Sequence, residues 1–292
     1  MQKFKKINLG LMKFRVEEAN AQTNLYTNGF PGITNFVGFG KAIAVKFLEA
    51  YPKYQKIKFD FVGVAISIHE MQVKKDHPKY VRYKQSDWKG NDSIVASTID
   101  ARNMFMTLSL FISFNFDKEL AMNEDEIFDN EIQDNLINFI TTYYHYFKLA
   151  GGRIYLDAKK PIQQFDNINE FLRLLPFSNY ILEDNFHLIV DKIDDVFQLF
   201  THQNDDTPKT EYLGKYFLLQ TGYQLLEMPQ KKSFSRNNYP HAFSEAILKP
   251  VRVRMIASLR KEDVANLLWH YDYINYSSKK QILVTAKEQS IK

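Results

Sequence analysis

The chain has 292 residues, of which 45% are hydrophobic and 15% are aromatic, and it contains no cysteine. This composition predicts a globular protein with a sizeable core and excludes disulfide bonds, thiolate metal sites and an intrinsically disordered chain. The net charge is +4. The N-terminal residues lack the apolar core of a signal peptide, and no apolar stretch is long enough to span a bilayer, so we expect a cytoplasmic protein without membrane contact.

The first half of the chain predicts six elements in the order β-α-β-β-α-β. Strands are indicated by alternating or continuous apolar residues, and helices by apolar residues at a spacing of three and four. The predicted elements are a strand at 4–16, a helix at 34–50, strands at 59–73 and 104–116, a helix at 123–147 capped by Asn123, and a strand at 153–156. This order is that of the ferredoxin-like fold, which serves RNA-recognition modules and also many enzymes.

The second half gives weaker signals. The patterns predict helices at 168–175 and 191–200, an extended segment at 215–226 and a final amphipathic helix at 261–273 that carries Trp269. We therefore predict an α+β protein with a ferredoxin-like RNA-binding core at 1–165 and a C-terminal mixed extension at 166–292 that packs on this core. A basic hairpin is expected to be inserted in the core at about 71–100.

The predicted hairpin carries the whole excess of positive charge. Residues 71–90 contain six basic and two acidic residues, interleaved with Tyr80, Tyr83 and Trp88. Basic and aromatic side chains in alternation are typical of surfaces that bind phosphates and stack bases. The alternative is a solvated hairpin whose lysines protect an exposed strand edge.

No catalytic motif is present. The sequence His69-Glu70 begins a zinc-binding HExxH pattern, but Val73 stands where the second histidine would be. The segment NFVGFGKA has Asn35 and Ala42 at the positions where a P-loop has its first glycine and its hydroxyl residue. We therefore predict a protein that is not an enzyme and has no metal or cofactor.

Several motifs occur together in the order in which they occur in one family. They are residues 19–21 (ANA), 25–31 (LYTNGFP), 36–39 (FVGF), 149–152 (LAGG), 222–223 (GY), 236–237 (RN) and 267–270 (LLWH). This set resembles the Csy-two proteins, members of the Cas-five group in type I-F CRISPR surveillance complexes. The resemblance covers nearly the whole chain.

The resemblance implies a ferredoxin-like (RAMP-type) subunit without catalytic activity in a Cascade complex for antiviral defence. Such a subunit holds the 5′ handle of the CRISPR RNA, pairs with the large subunit and contacts the terminal backbone subunit of the filament. Target DNA near the PAM is a further candidate partner.

Candidate RNA-binding residues come from the matching segments, from the basic hairpin and from a basic pair at alternating positions of a strand. They are Asn20, Asn28, Gly29, Phe30, Lys41, Lys74, Lys75, Arg82, Lys84, Arg153, Arg236, Asn237, Arg252 and Arg254. A purely structural alternative treats the asparagines as turn residues and Gly38 and Gly40 as sites of close helix packing.

Two rival functions remain open from the sequence. A CRISPR endoribonuclease of the same fold would need a general acid or base, and the first predicted helix contains no histidine. A protein-interaction domain would use the basic hairpin to bind an acidic partner and would not bind RNA.

Overall fold

The computed structural model describes residues 4–22, 27–74, 79–80, 98–99, 102–123, 129–184, 215–233, 240–276 and 279–286. Four α-helices are described: α1 (Ile33–Ala50), α2 (Lys118–Asn123), α3 (Asp129–Tyr143) and α4 (Ile168–Leu174). Short 3₁₀ turns lie at Pro52–Gln55, Tyr144–Tyr146, Ile256–Ser258 and Lys261–Asn266. None of the described helices is long and apolar enough to cross a membrane.

The described strands, in chain order, are β1 (Phe4–Asn20), β2 (Asp60–Val73), β3 (Lys79–Tyr80), β4 (Thr98–Ile99), β5 (Asn103–Asp117), β6 (Lys148–Leu149), β7 (Gly152–Tyr155), β8 (Ile162–Phe165), β9 (Tyr180–Glu183), β10 (Lys215–Leu225), β11 (Ser244–Met255), β12 (His270–Tyr276) and β13 (Lys279–Thr285). The protein is α+β, and its strand pairs are antiparallel.

One sheet of eleven strands contains all strands except β3 and β4, which pair with each other. The order of its main path is β12-β13-β10-β11-β9-β2-β5-β1-β7-β6, and β8 pairs with β1. The last strands of the chain therefore continue the sheet beyond β2. The division of the chain at residue 165 stays a prediction.

Helix α1 covers one face of this sheet. It buries Ile33, Phe36, Ile43 and Phe47, which recur at helical spacing. Since a helix cannot continue easily through proline, it ends just before Pro52. The helix predicted at 34–50 is confirmed.

The sheet has a core on each face. On the first face, α1 and α3 pack on alternate residues of the central strands, such as Leu110, Ile112 and Phe114 of β5. On the second face, Phe171 of α4 packs against Phe111 of β5. The central strand β5 is thus apolar at both parities because both of its faces are covered, as the sequence predicts.

Two predicted helices differ from the structure. The helix predicted at 123–147 is α3, which ends at Tyr143, and Asn123 is instead the last residue of the separate helix α2. The segment 261–273 is a 3₁₀ turn followed by β12, and Trp269 pairs with Val64 of β2 through two backbone hydrogen bonds of 2.8 Å. Pairing with β2 outweighs the helical spacing of the apolar residues here. The helix predicted at 191–200 lies outside the described residues.

Candidate nucleic-acid interface

The ends of three neighbouring strands, β1, β5 and β2, lie side by side at the same edge of the sheet. Asn20, the last residue of β1, stands opposite Asn103, the first residue of β5. The carbonyl oxygen of Asn103 accepts a hydrogen bond from the backbone N–H of Lys74, which directly follows β2, at 2.8 Å. The chain leaves the sheet here toward the segment predicted as the basic hairpin.

The β6–β7 hairpin joins this edge through its turn. The carbonyl oxygen of Ala150 accepts a hydrogen bond of 2.8 Å from the backbone N–H of Asn20. Ala150 and Gly151 have φ angles of 50° and 79°, so they form a two-residue turn of the type that suits the twist of a hairpin. The motif LAGG of the sequence is therefore the tip of a hairpin beside the end of β1.

The glycine of the motif NGFP also lies at this edge. The backbone N–H of Gly29 donates a hydrogen bond of 2.8 Å to the carbonyl oxygen of Ala21. Its φ angle is 146°, and a Cβ atom at this position would have no described atom within 4 Å. We use the name Asn20 edge for the surface formed by Asn20, Gly29, Lys74, Arg102 and Arg153.

The Asn20 edge carries exposed positive charge. Arg102 lies here because its carbonyl oxygen accepts a hydrogen bond of 2.8 Å from the backbone N–H of Ala21. Lys74, Arg102 and Arg153 are exposed, and none of them forms an ion pair with an acid among the described residues. Their charges are therefore available to an anion.

Arg15, unlike the three cations of the Asn20 edge, is paired with two carboxylates. Its guanidinium binds Asp157 and donates to Glu17 at 2.9 Å, and these carboxylates raise the pKa of Arg15 above its ordinary value. Glu17 is also the residue opposite Arg153 in the β1–β7 pair. Glu17 binds Arg15 through one carboxylate oxygen, and it forms no ion pair with Arg153 in the described part of the chain.

Other predicted site residues lie away from the Asn20 edge. Phe30 is buried in the core, where its ring stacks on Phe36 at 5.3 Å and on Phe217 at 6.0 Å. Lys41 of α1 is paired with Asp60 at 2.5 Å. Asn28 is exposed in the turn before α1. Packing and ion pairing account for Phe30 and Lys41, and a contact of either residue with RNA stays a prediction.

The basic pair on β11 points to one buried acid. Arg252 and Arg254 lie on one side of the strand, with guanidinium nitrogens 3.8 and 3.4 Å from the carboxylate of Glu183. Arg254 also pairs with Asp263 at 2.7 Å and is only 9% exposed. These contacts hold β11 against β9 and the 3₁₀ turn at 261–266. RNA binding by either arginine stays a prediction.

Five predicted site residues lie outside the described residues. They are Lys75, Arg82, Lys84, Arg236 and Asn237.

A polar cluster lies within the second face of the sheet. His69 Nε2 is 2.7 Å from Ser109 Oγ, and His69 Nδ1 is 2.8 Å from Asn179 Nδ2. Ser109 Oγ also accepts from the backbone N–H of Lys13, which has a φ angle of 44°. Burial, together with the charge of Lys13, lowers the pKa of His69 to about 4. Both ring nitrogens of this neutral imidazole are engaged inside the protein.

Within the part of the chain that the structure describes, no three His, Asp or Glu side chains are grouped so that they could hold a metal ion.

Sequence reasoning missed Arg102 and Lys148. Lys148 of β6 stands directly opposite Arg153 of β7 in the hairpin. A signal for both was present, because Arg102 immediately precedes a strand and Lys148 immediately precedes the motif LAGG. This signal was not specific enough to select the two residues, because isolated basic residues at strand ends are common on protein surfaces.

Comparison with known proteins gives one family. The family model described as CRISPR-associated protein (Cas_Csy2) matches residues 9–215, which includes the Asn20 edge and both of its glycine motifs. No curated protein matches the chain.

Proposed function

Since the chain belongs to the Cas_Csy2 family of CRISPR-associated proteins, as its motifs predict, we propose that it is an RNA-binding subunit of a type I-F CRISPR ribonucleoprotein. In this role it binds the 5′ handle of the CRISPR RNA, pairs with the large subunit and contacts the terminal backbone subunit. The complex acts against foreign DNA in the cytoplasm.

The charge of the Asn20 edge carries the proposal of RNA binding. Lys74, Arg102 and Arg153 are exposed cations without ion pairs among the described residues, and they lie beside the two glycine motifs. Cations of this kind bind phosphates by releasing counterions, which gives affinity for RNA. The open space at Gly29 leaves room for a backbone to approach closely.

The strand order supports a ferredoxin-like core. In the sheet, β2, β5, β1 and β7 are neighbours in that order, and α1 and α3 connect β1 to β2 and β5 to β7. A β-α-β-β-α-β chain with this antiparallel order is the ferredoxin-like arrangement. Its second face is partly covered by α4, so the proposed site uses the strand ends rather than the middle of the sheet.

The state of His69 favours a binding role over the rival nuclease. A general base needs a nitrogen within reach of the proton that it removes from its substrate. Both nitrogens of His69 instead contact Ser109 and Asn179, and Ser109 is completely buried. This histidine is accounted for as a structural residue.

Fluorescence anisotropy on the full chain tests the RNA-binding role, with an RNA carrying the repeat-derived 5′ handle of the host CRISPR array and a scrambled RNA. We expect the handle RNA to bind more tightly. Lys74→Ala/Arg102→Ala should flatten the salt dependence by roughly 1.4, since each phosphate contact on a single strand contributes about 0.7.

A matched control removes the same charge elsewhere. Lys46→Ala/Lys53→Ala deletes two exposed lysines that are already paired with Glu49 and Glu131. This control should bind the handle RNA like the wild type. Absence of RNA binding by the wild-type chain would reject the proposed function.

A further inference from the structure

The outer edge of the β6–β7 hairpin places two positive charges face to face. Lys148 and Arg153 are direct cross-strand partners, and both are exposed. Like charges in this position destabilise an antiparallel pair. Glu17 stands opposite Arg153 on its other side, but neither cation forms an ion pair with an acid among the described residues, so an anion between them would relieve their repulsion.

Exposed aromatic rings lie immediately beside these charges. Tyr146, in the 3₁₀ turn before β6, is 75% exposed. Its ring centre lies 4.1 Å from that of His145 and 6.2 Å from that of Tyr143. The rings therefore support one another at the surface instead of being buried.

The hairpin turns both charges to the same side, close in sequence to the exposed ring. Phe147 packs against Phe39 and Phe139 of the core, and Leu149 is buried. Residues directly opposite each other in an antiparallel pair share one face, so Lys148 and Arg153 lie on the face opposite to buried Leu149, and Tyr146 precedes Lys148 by two residues. The 3₁₀ turn that carries Tyr146 contacts β7, the strand that carries Arg153.

We propose that Tyr146, Lys148 and Arg153 form a stacking clamp for single-stranded RNA, in which the two cations hold a backbone phosphate and Tyr146 stacks on the adjacent base. The clamp extends the Asn20 edge, because its hairpin turn binds Asn20. This inference rests on the proposed function. A positive charge pair close to an exposed aromatic ring matches the chemistry of a nucleotide, which has a phosphate next to a flat base.

The charge and the ring make separate, measurable contributions. Lys148→Ala/Arg153→Ala should flatten the salt dependence of binding to the handle RNA by roughly 1.4. Tyr146→Ala should weaken binding by roughly 5- to 150-fold, the range that corresponds to the stacking of one base. Tyr146→Phe keeps the ring and should bind like the wild type.

The control variants separate the clamp from general effects. Lys46→Ala/Lys53→Ala removes two charges that are already paired with Glu49 and Glu131 and should leave binding unchanged. An RNA with abasic sites along the handle should bind wild type and Tyr146→Ala equally, because it offers no base to stack. Thermal unfolding should be unchanged in all variants, since the mutated side chains are exposed.

Three outcomes would overturn the clamp. If the Lys74→Ala/Arg102→Ala variant loses RNA while the hairpin variants do not, the clamp fails and the proposed function stands. If the wild type binds no RNA, both fail. If the hairpin variants keep RNA but no longer co-purify with the large subunit, the edge is a protein interface.

Discussion

At the scale of single residues, two glycines of α1 have different roles. A Cβ atom on Gly40 would lie 2.2 Å from a carbon of the Phe61 ring, whereas one on Gly38 would lie 3.5 Å from the Tyr271 hydroxyl, an ordinary contact distance. Close packing of the helix on β2 therefore explains Gly40. At Gly38 a Cβ atom has room, so the low helix propensity of glycine decides the effect of a substitution on stability.

This difference predicts that two similar substitutions change the free energy of unfolding in opposite directions. Gly40→Ala should lower the free energy of unfolding by about 1 to 3 kcal/mol, because the Phe61 ring must move. Gly38→Ala should raise it by up to about 1 kcal/mol, the advantage of alanine in a helix. Urea unfolding measures both. Stabilisation by Gly40→Ala would show that the ring moves freely.

His69 gives a pH-dependent contribution to stability. Its pKa is lowered from 6.5 to about 4 in the folded protein, so the unfolded chain binds more protons between these values. The stabilisation is therefore complete above about pH 6.5 and is lost as the pH falls toward 4. Because the ring is only partly buried, we expect about 2 kcal/mol or less.

Urea unfolding of wild type and His69→Gln at several pH values measures this contribution. The difference in unfolding free energy between the two proteins should grow from pH 4 to pH 6.5 and then stay constant. A difference that does not change with pH would show that His69 titrates alike in the folded and unfolded chains.

At the scale of elements, the β6–β7 hairpin depends on two adjacent glycines for different reasons. Gly151 has a φ angle of 79°, but a Cβ atom added to it would have no described atom within 4 Å. A Cβ atom on Gly152 would lie 2.7 Å from the Glu17 carbonyl oxygen and 2.8 Å from the Ala19 nitrogen. Both are backbone atoms of β1, so they cannot move aside without moving the strand.

Gly152→Ala should therefore separate the hairpin from β1 and cost about 3 kcal/mol of unfolding free energy, at the upper end of overpacking effects. Gly151→Ala should cost about 1 kcal/mol, the strain of a left-handed residue. Hydrogen exchange of the Arg153 amide reports on the β1–β7 pair. Similar exchange in both variants would contradict the packing role of Gly152.

The sequence predicts those elements whose own residues determine them. Strands β1, β2 and β5 and helix α1 follow from the periodicity of their apolar residues, and α4 and β10 lie where predicted. The segment around Trp269 could not be predicted, because its partner Val64 is about 200 residues away in sequence. Family motifs located Asn20 and Arg153, while Arg102 and Lys148 emerge only once the strands are paired.

At the scale of the whole molecule, an exposed apolar surface is our candidate for the proposed contact with the large subunit. Leu226, Met228 and Phe243 are 56%, 62% and 66% exposed, and the backbone N–H of Leu226 donates to the carbonyl oxygen of Phe243. Surfaces of this kind are typical of protein contacts. The candidate surface for pairing is thus formed by other residues than the Asn20 edge.

We expect Met228→Ser/Phe243→Ser to reduce co-purification with the large subunit at least tenfold while RNA binding is kept. The control Leu174→Ser/Phe177→Ser changes two other exposed apolar residues, 57% and 73% exposed. Equal loss in both variants would indicate general aggregation. Unchanged pairing in both would place the subunit contact elsewhere.

The full chain should also leave its own repeat RNA intact, with or without magnesium. This expectation follows from the proposed binding role and from the engagement of both His69 nitrogens. Single-turnover assays with labelled repeat RNA measure it. Saturable cleavage that a His→Ala substitution abolishes would favour the endoribonuclease.

The pairing of β2 with late parts of the chain has a consequence during synthesis on the ribosome. On one side, the backbone of β2 pairs with β9 and Trp269. Trp269 is synthesised about 200 residues after Val64, so this side of β2 has no partner until then. At roughly 5 to 20 residues per second, that delay is on the order of 10 to 40 seconds. A nascent chain with an open strand edge for so long is exposed to wrong pairing, so translation speed and chaperones should affect the yield of this protein strongly.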